Sequence, residues 1–216
     1  MSQNINLYRS VYFIACFLSL FFIDIDKSVI EMITKILALV FLSFLYLGVS
    51  IKINYFYLLI LMNSITSDVL LIFDDSFLKI GTLLILANRF LYIIIARRGF
   101  FKIKTKTLLI YLIPALFLFG AIFIMFKPYL QEISLSFLLL GITSVTMIGL
   151  AFFNYLNDMS KENKLFLLGL LLILTADVLM VFNKFLDYKL TYVIFYTTIY
   201  YIARYLICLS MIDKKN

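Results

Sequence analysis

Histidine is missing from this 216-residue chain altogether, and there are only two cysteines and two prolines. Without imidazoles, a zinc hydrolase held by histidines and a haem with an imidazole axial ligand are both excluded. Cys16 and Cys208 stand far apart, each inside an apolar run, so they supply neither a disulfide framework nor a zinc-ligand spacing. Charge is scarce too: 14% of residues are charged against 64% hydrophobic, and mean hydropathy is +1.07. A water-soluble domain of this length needs more polar surface than that, so lipid must be the solvent for most of the chain. The net charge of +7 does not indicate nucleic acid, because the positive residues fall between apolar runs, where membrane topology accounts for them.

What is present is a series of apolar runs near the length, about 20 residues, that crosses a hydrocarbon core of about 30 Å. Polar punctuation separates eight of them, and the pattern predicts helices at 7–23, 29–48, 54–73, 77–96, 107–126, 133–154, 164–183 and 190–212. The fold class is therefore all-α, a polytopic membrane protein with residues 1–216 as one integral-membrane domain. The first run follows Arg9 as a secretory signal would, but it lacks a small-x-small cleavage site and Asp24 and Asp26 follow directly, so it reads as a retained helix. Pro114 should bend the fifth helix, and Pro128 should fall at its end.

Lys and Arg in the loops set the expected orientation. The side with both termini carries Arg9, Lys52, Arg97, Arg98, Lys102, Lys104, Lys106, Lys161, Lys164, Lys214 and Lys215; the other carries Lys27, Lys79, Lys127, Lys184 and Lys189. An excess of eleven over five puts both termini in the cytoplasm, as eight crossings of a bacterial cytoplasmic membrane require. The basic stretch RRGFFKIKTK at 97–106 reads as a topology determinant.

TSDVLLIF at 66–73 and TADVLMVF at 175–182 place an aspartate in nearly the same apolar sentence twice. A shift of 109 lays residues 54–93 on 163–202 without a gap and matches Asn54 to Asn163, Thr66 to Thr175, Asp68 to Asp177, Phe73 to Phe182 and Tyr92 to Tyr201. Helices 3–4 and 7–8 thus read as copies of one hairpin, and four helices per half leave the copies in the same orientation, a parallel repeat. Asp68 and Asp177 each lie about 8 Å from the outer end of their helix at about 1.5 Å per residue. An ionisable group at that depth faces a cavity or a partner. Packed around a pseudo-twofold axis, the two carboxyls would converge on one site. Their coupling would leave one acid and one carboxylate, whereas hydrogen-bonded packing between helices is the plainer alternative.

Three other charges lie within the runs. Lys35, in EMITKILALV, matches the depth of the aspartates and is expected either to pair with one or to reach for the interface. Arg89 and Arg204 fall nearer the cytoplasmic ends of their helices and need a counter-charge or a lipid phosphate. Tyr196, Tyr200, Tyr201 and Tyr205 mark one face of the last helix as a cavity wall or as aromatic packing.

These motifs together resemble the YhhN-like family of eight-helix membrane proteins, which includes the lysoplasmalogenases. The similarity runs through Lys35, SDVLLIF, ANRFLYI at 87–93, VTMIGLA at 145–151, LLILTADVLMVFNKF at 171–185 and TIYYIARYLICLS at 198–210. The chain departs from the family pattern at Ser67, where Gly usually precedes the aspartate, and at Asn88, where His is usual. It departs again at Arg204, in place of Gln, and at Ile36, in place of Pro. The resemblance implies hydrolysis of the vinyl ether of a lysophospholipid, with Asp68 and Asp177 as the catalytic pair. Lys35, Asn88, Arg89, Tyr92, Tyr201 and Arg204 would support or bind the lipid, and neither metal nor cofactor is implied. Two other classes remain open at this stage. One is a lipid-binding relative that has lost the chemistry. The other is a proton- or cation-coupled transporter, which mid-membrane breaks at Pro114, Gly120, Gly141, Gly149 or Gly169 would favour.

Overall fold

The computed structural model describes residues 2–23, 29–73, 78–98, 105–130, 134–185 and 188–213. Eight helices occupy them, with no strand among the described residues: α1 Ser2–Phe21, α2 Val29–Val49, α3 Tyr55–Phe73, α4 Leu78–Arg98, α5 Thr105–Leu130, α6 Ser134–Asn157, α7 Lys161–Phe185 and α8 Leu190–Asp213. In hydrocarbon every backbone N–H and C=O must find its partner inside the segment, which leaves a helix as the available form for such runs. Pro128 falls in the last turn of α5, which ends at Leu130. Neither Pro114, Gly120, Gly141, Gly149 nor Gly169 interrupts its helix. The centre of the basic stretch at 97–106 lies outside the described residues.

Among the described residues, six helices are long and apolar enough to cross a membrane: α2, α4, α5, α6, α7 and α8. The described parts of α1 and α3 contribute shorter apolar segments, Asn6–Phe21 and Tyr55–Leu70. In α3, Ser64, Ser67 and Asp68 line a cavity.

Packing closes six helices into a ring. α2 lies against α3, α3 against α4, α4 against α6, α6 against α7, α7 against α8, and α8 returns to α2. The hairpins α3–α4 and α7–α8 therefore stand opposite each other, with α6 and α2 between them. α1 covers the seam of α2 and α8, and α5 packs chiefly on α6. α7 and α8 lie close at Gly169, where an added Cβ would stand 2.5 Å from Ile207 Cγ1 and 3.0 Å from the Ala203 carbonyl oxygen.

The two ends of the ring differ. At the end holding the chain termini the interior is filled by Leu42 and Tyr46 of α2, Tyr57 and Ile60 of α3, Ile95 of α4, Met147 of α6, Leu170 of α7 and Ile207 and Cys208 of α8. Some of its polar groups are tied down, the Asn154 amide donating to the Ala96 carbonyl at 2.7 Å and the Tyr46 hydroxyl accepting from the Asn54 N–H at 2.7 Å, whereas the Tyr57 hydroxyl and Asn154 Oδ1 are buried with no hydrogen-bond partner. Towards the other end the helices part, and the polar residues of the sequence collect there.

Candidate active site

A cavity of about 370 Å³ opens inside the ring, walled by α2, α3, α4, α7 and α8. Asp68, Lys35, Asn88, Arg89, Tyr92, Tyr201 and Arg204 all line it, so seven of the eight residues singled out by sequence share one chamber. Asp177, the eighth, faces a second cavity of about 580 Å³ between α4, α5, α6 and α7. The expected convergence of both carboxyls on one site is thus corrected. They flank two adjacent chambers, which share Ile85 and Met180 as a common wall.

Each aspartate has an arginine from the opposite hairpin. Arg204 of α8 grips Asp68 of α3 with both ends of its guanidinium, Nη1 to Oδ2 at 2.6 Å and Nη2 to Oδ1 at 2.8 Å. Arg89 of α4, only 3% exposed, donates from Nη2 to Asp177 Oδ2 of α7. The Tyr200 hydroxyl donates to the other oxygen of Asp177, and the Arg204 guanidinium lies 5.6 Å from the centre of the Tyr200 ring. The arginines are placed nearer the termini end than the aspartates, as sequence implied. They still reach the carboxylates, because the extended side chain spans about one helical turn of about 5.4 Å. Pairing of this kind is what an arginine inside a membrane requires.

Lys35 pairs with neither aspartate. Its ammonium meets Glu31 at 2.6 Å, one turn earlier on the same helix, a geometry that i,i+4 spacing favours. Asn88 donates its amide to Ser64 Oγ at 3.1 Å, while its carbonyl oxygen and Arg89 Nε are buried with no hydrogen-bond partner. Tyr201 shares a hydrogen bond with Ser19 at 2.5 Å, and its carbonyl accepts from the Tyr12 hydroxyl at 2.6 Å, which ties α8 to α1. Tyr92 packs edge-on to Phe166, 6.2 Å between ring centres. Of the tyrosine face on α8, Tyr196, Tyr200 and Tyr201 line the polar cavity, but Tyr205 turns away and stacks on Tyr12 at 5.9 Å. Glu31, Ser64 and Tyr188 join the lining without having been singled out. Among the described residues no three His, Cys, Asp or Glu side chains are grouped as metal ligands.

The arrangement defines a class: a helical membrane protein with a polar, ion-paired chamber inside the ring and an apolar chamber beside it. The model of the YhhN family matches residues 30–211, which takes in every helix but α1, and the chain belongs to that family. No curated protein and no solved structure matches it.

Proposed function

We infer that this chain is a membrane-embedded hydrolase of the lysoplasmalogenase type, cleaving the vinyl ether of a lysophospholipid. The observation that carries the reading is the position of Asp177. Its carboxylate lies on the wall of the apolar cavity, yet it is bonded to Arg89 and Tyr200, which line the polar one. A vinyl ether is the point of a lysolipid where the polar glycerophospho half meets the hydrocarbon chain. A substrate lying across the shared wall would present that bond to Asp177.

Hydrolysis starts with a proton transferred to the β-carbon of the enol ether, giving an oxocarbenium ion. Water adds to the cationic carbon and loses a proton, and the hemiacetal collapses to an aldehyde and a glycerophospho-alcohol. Asp177 is assigned the proton delivery and then takes a proton back from the adding water, while Asp68 keeps the anionic role across the chamber, offsetting the positive charge of the oxocarbenium ion. Arg89 holds Asp177 in the empty site. A substrate phosphate competes for that guanidinium, whose Nε has no partner of its own, and frees Asp177 Oδ2 to carry the proton. The unpartnered Asn88 carbonyl, where relatives usually have histidine, supplies an acceptor that can orient the water.

A lipid-binding relative without chemistry is the second reading, favoured by the grip of Arg204 on both oxygens of Asp68. The two separate on one assay: release of aldehyde from a lysoplasmalogen by purified protein, beside a vinyl-ether glycerol lacking the phosphate. The enzyme reading expects release from the phosphorylated lipid and little from the other. Binding of the lysolipid without release would leave the second reading standing.

A further inference from the structure

We propose that the apolar cavity between α4, α5, α6 and α7 is a lateral site for the single hydrocarbon chain of a lipid whose head occupies the polar cavity. The proposal deepens the lipid-hydrolase reading and rests on its lipid substrate, though not on the reaction. The cavity measures about 580 Å³, inside the range of about 300–1,000 Å³ typical of small-molecule sites. Its lining is almost wholly carbon, with Phe119, Phe137 and Phe153 on one side and Val178 and Val181 on the other. The Asp177 carboxylate is the charged group on that wall, and it stands beside Met180, which belongs to both chambers.

The cavity is built by an unusual attachment of α5. That helix leans on α6 through two glycines on one face: an added Cβ would fall 1.8 Å from the Phe119 ring at Gly141 and 2.5 Å from Leu112 at Gly149. Glycine there lets α5 lie close to α6, while α4 and α7 make no comparable contact with it. At the end remote from the chain termini, Phe126 of α5 closes on Phe182 of α7, 5.1 Å between ring centres. Along the flank the chamber is open, since Leu118 and Met125 line it and are still 64% and 68% exposed. A chain can therefore slide in from the bilayer without leaving hydrocarbon.

Lipid tails are as apolar as this wall, so the transfer gains little from the hydrophobic effect. The groove contributes placement instead: a chain seated there fixes the first atoms of the head at the shared wall of Ile85 and Met180.

The test uses a saturated single-chain phospholipid with a photoreactive diazirine at the chain end, incorporated in nanodiscs with the full-length protein. After irradiation, cross-linked peptides are mapped by mass spectrometry. Labels are expected on α5, α6 and α7 at the cavity wall. Val181→Trp, which fills the chamber, should reduce them at least fivefold, while Phe117→Trp on the outer face of α5 should leave them unchanged. Labels spread equally over the exposed Phe17 and Phe21 of α1, with no response to Val181→Trp, would overturn the proposal. If that variant does not fold, the wild-type map decides alone. The probe has no vinyl ether, so cavity labelling without aldehyde release in the separate assay keeps the chain site and removes the reaction. Release without cavity labelling does the reverse.

Discussion

Asp68 and Asp177 hold matching positions in α3 and α7, yet their surroundings part. Asp68 gives both oxygens to one guanidinium, inside the polar chamber. Asp177 divides its oxygens between Arg89 and Tyr200 and borders the apolar chamber. A bidentate pair is hard to open, because both bonds must be lost together. A divided carboxylate can lose one partner and keep the other. On the proposed hydrolase reading, the difference suits Asp68 to a fixed anionic role and Asp177 to the role of the group that changes its partners.

The largest effect should come from breaking this division at its reactive side. Asp177→Asn is expected to lower aldehyde release about 10³- to 10⁴-fold, the upper part of the range for a general acid or base. Asp68→Asn should sit near the lower end, about 10²-fold. Both are measured as kcat on detergent-purified protein with matched thermal stability. Equal losses would erase the distinction between the two carboxylates, and a larger loss for Asp68→Asn would reverse it.

Stability provides the next handle. Arg204→Met leaves a membrane-buried carboxylate without its cation, a change expected to destabilise by about 3–5 kcal/mol. Adding Asp68→Asn should restore about 1–3 kcal/mol of that, the coupling of residues in direct contact. The readout is a double-mutant cycle from unfolding in detergent. A cycle that closes additively would mean that the Asp68–Arg204 pair contributes nothing as a pair.

The eight helices were legible because each depends on a local pattern, the length of an apolar run, and so was the place of an aspartate inside two of them. The choice of partners was not. Arg89 shifted by 109 falls on Thr198, and Arg204 shifted back falls on Ile95, so the arginines are no part of the matched positions. Their pairing depends on which helices face across the ring, a property of closure rather than of any segment. Glu31 and Lys35 carried a readable i,i+4 signal, but matching Lys35 by depth alone pointed to the aspartates instead. The apolar chamber left no trace in sequence. α5 is greasy on every side, so no periodicity distinguishes Phe119, which faces the chamber, from Phe117, which faces outward.

The smallest expected effect sharpens the comparison most. Tyr200→Phe removes one hydroxyl and leaves the ring beside Arg204 in place. A hydrogen bond to a charged group contributes about 1.5–3 kcal/mol, and at the lower end of that range the loss on Asp177 should appear as a roughly tenfold fall in kcat with little change in KM. Asp68 keeps both of its bonds in this variant, so the restoring effect of Asp68→Asn on Arg204→Met should be the same in the Tyr200→Phe background. If removing the hydroxyl alters that coupling by more than about 0.5 kcal/mol, the limit for independent sites, the two carboxylates form one electrostatic unit. If it does not, the matched aspartates work as separate groups, one held and one released.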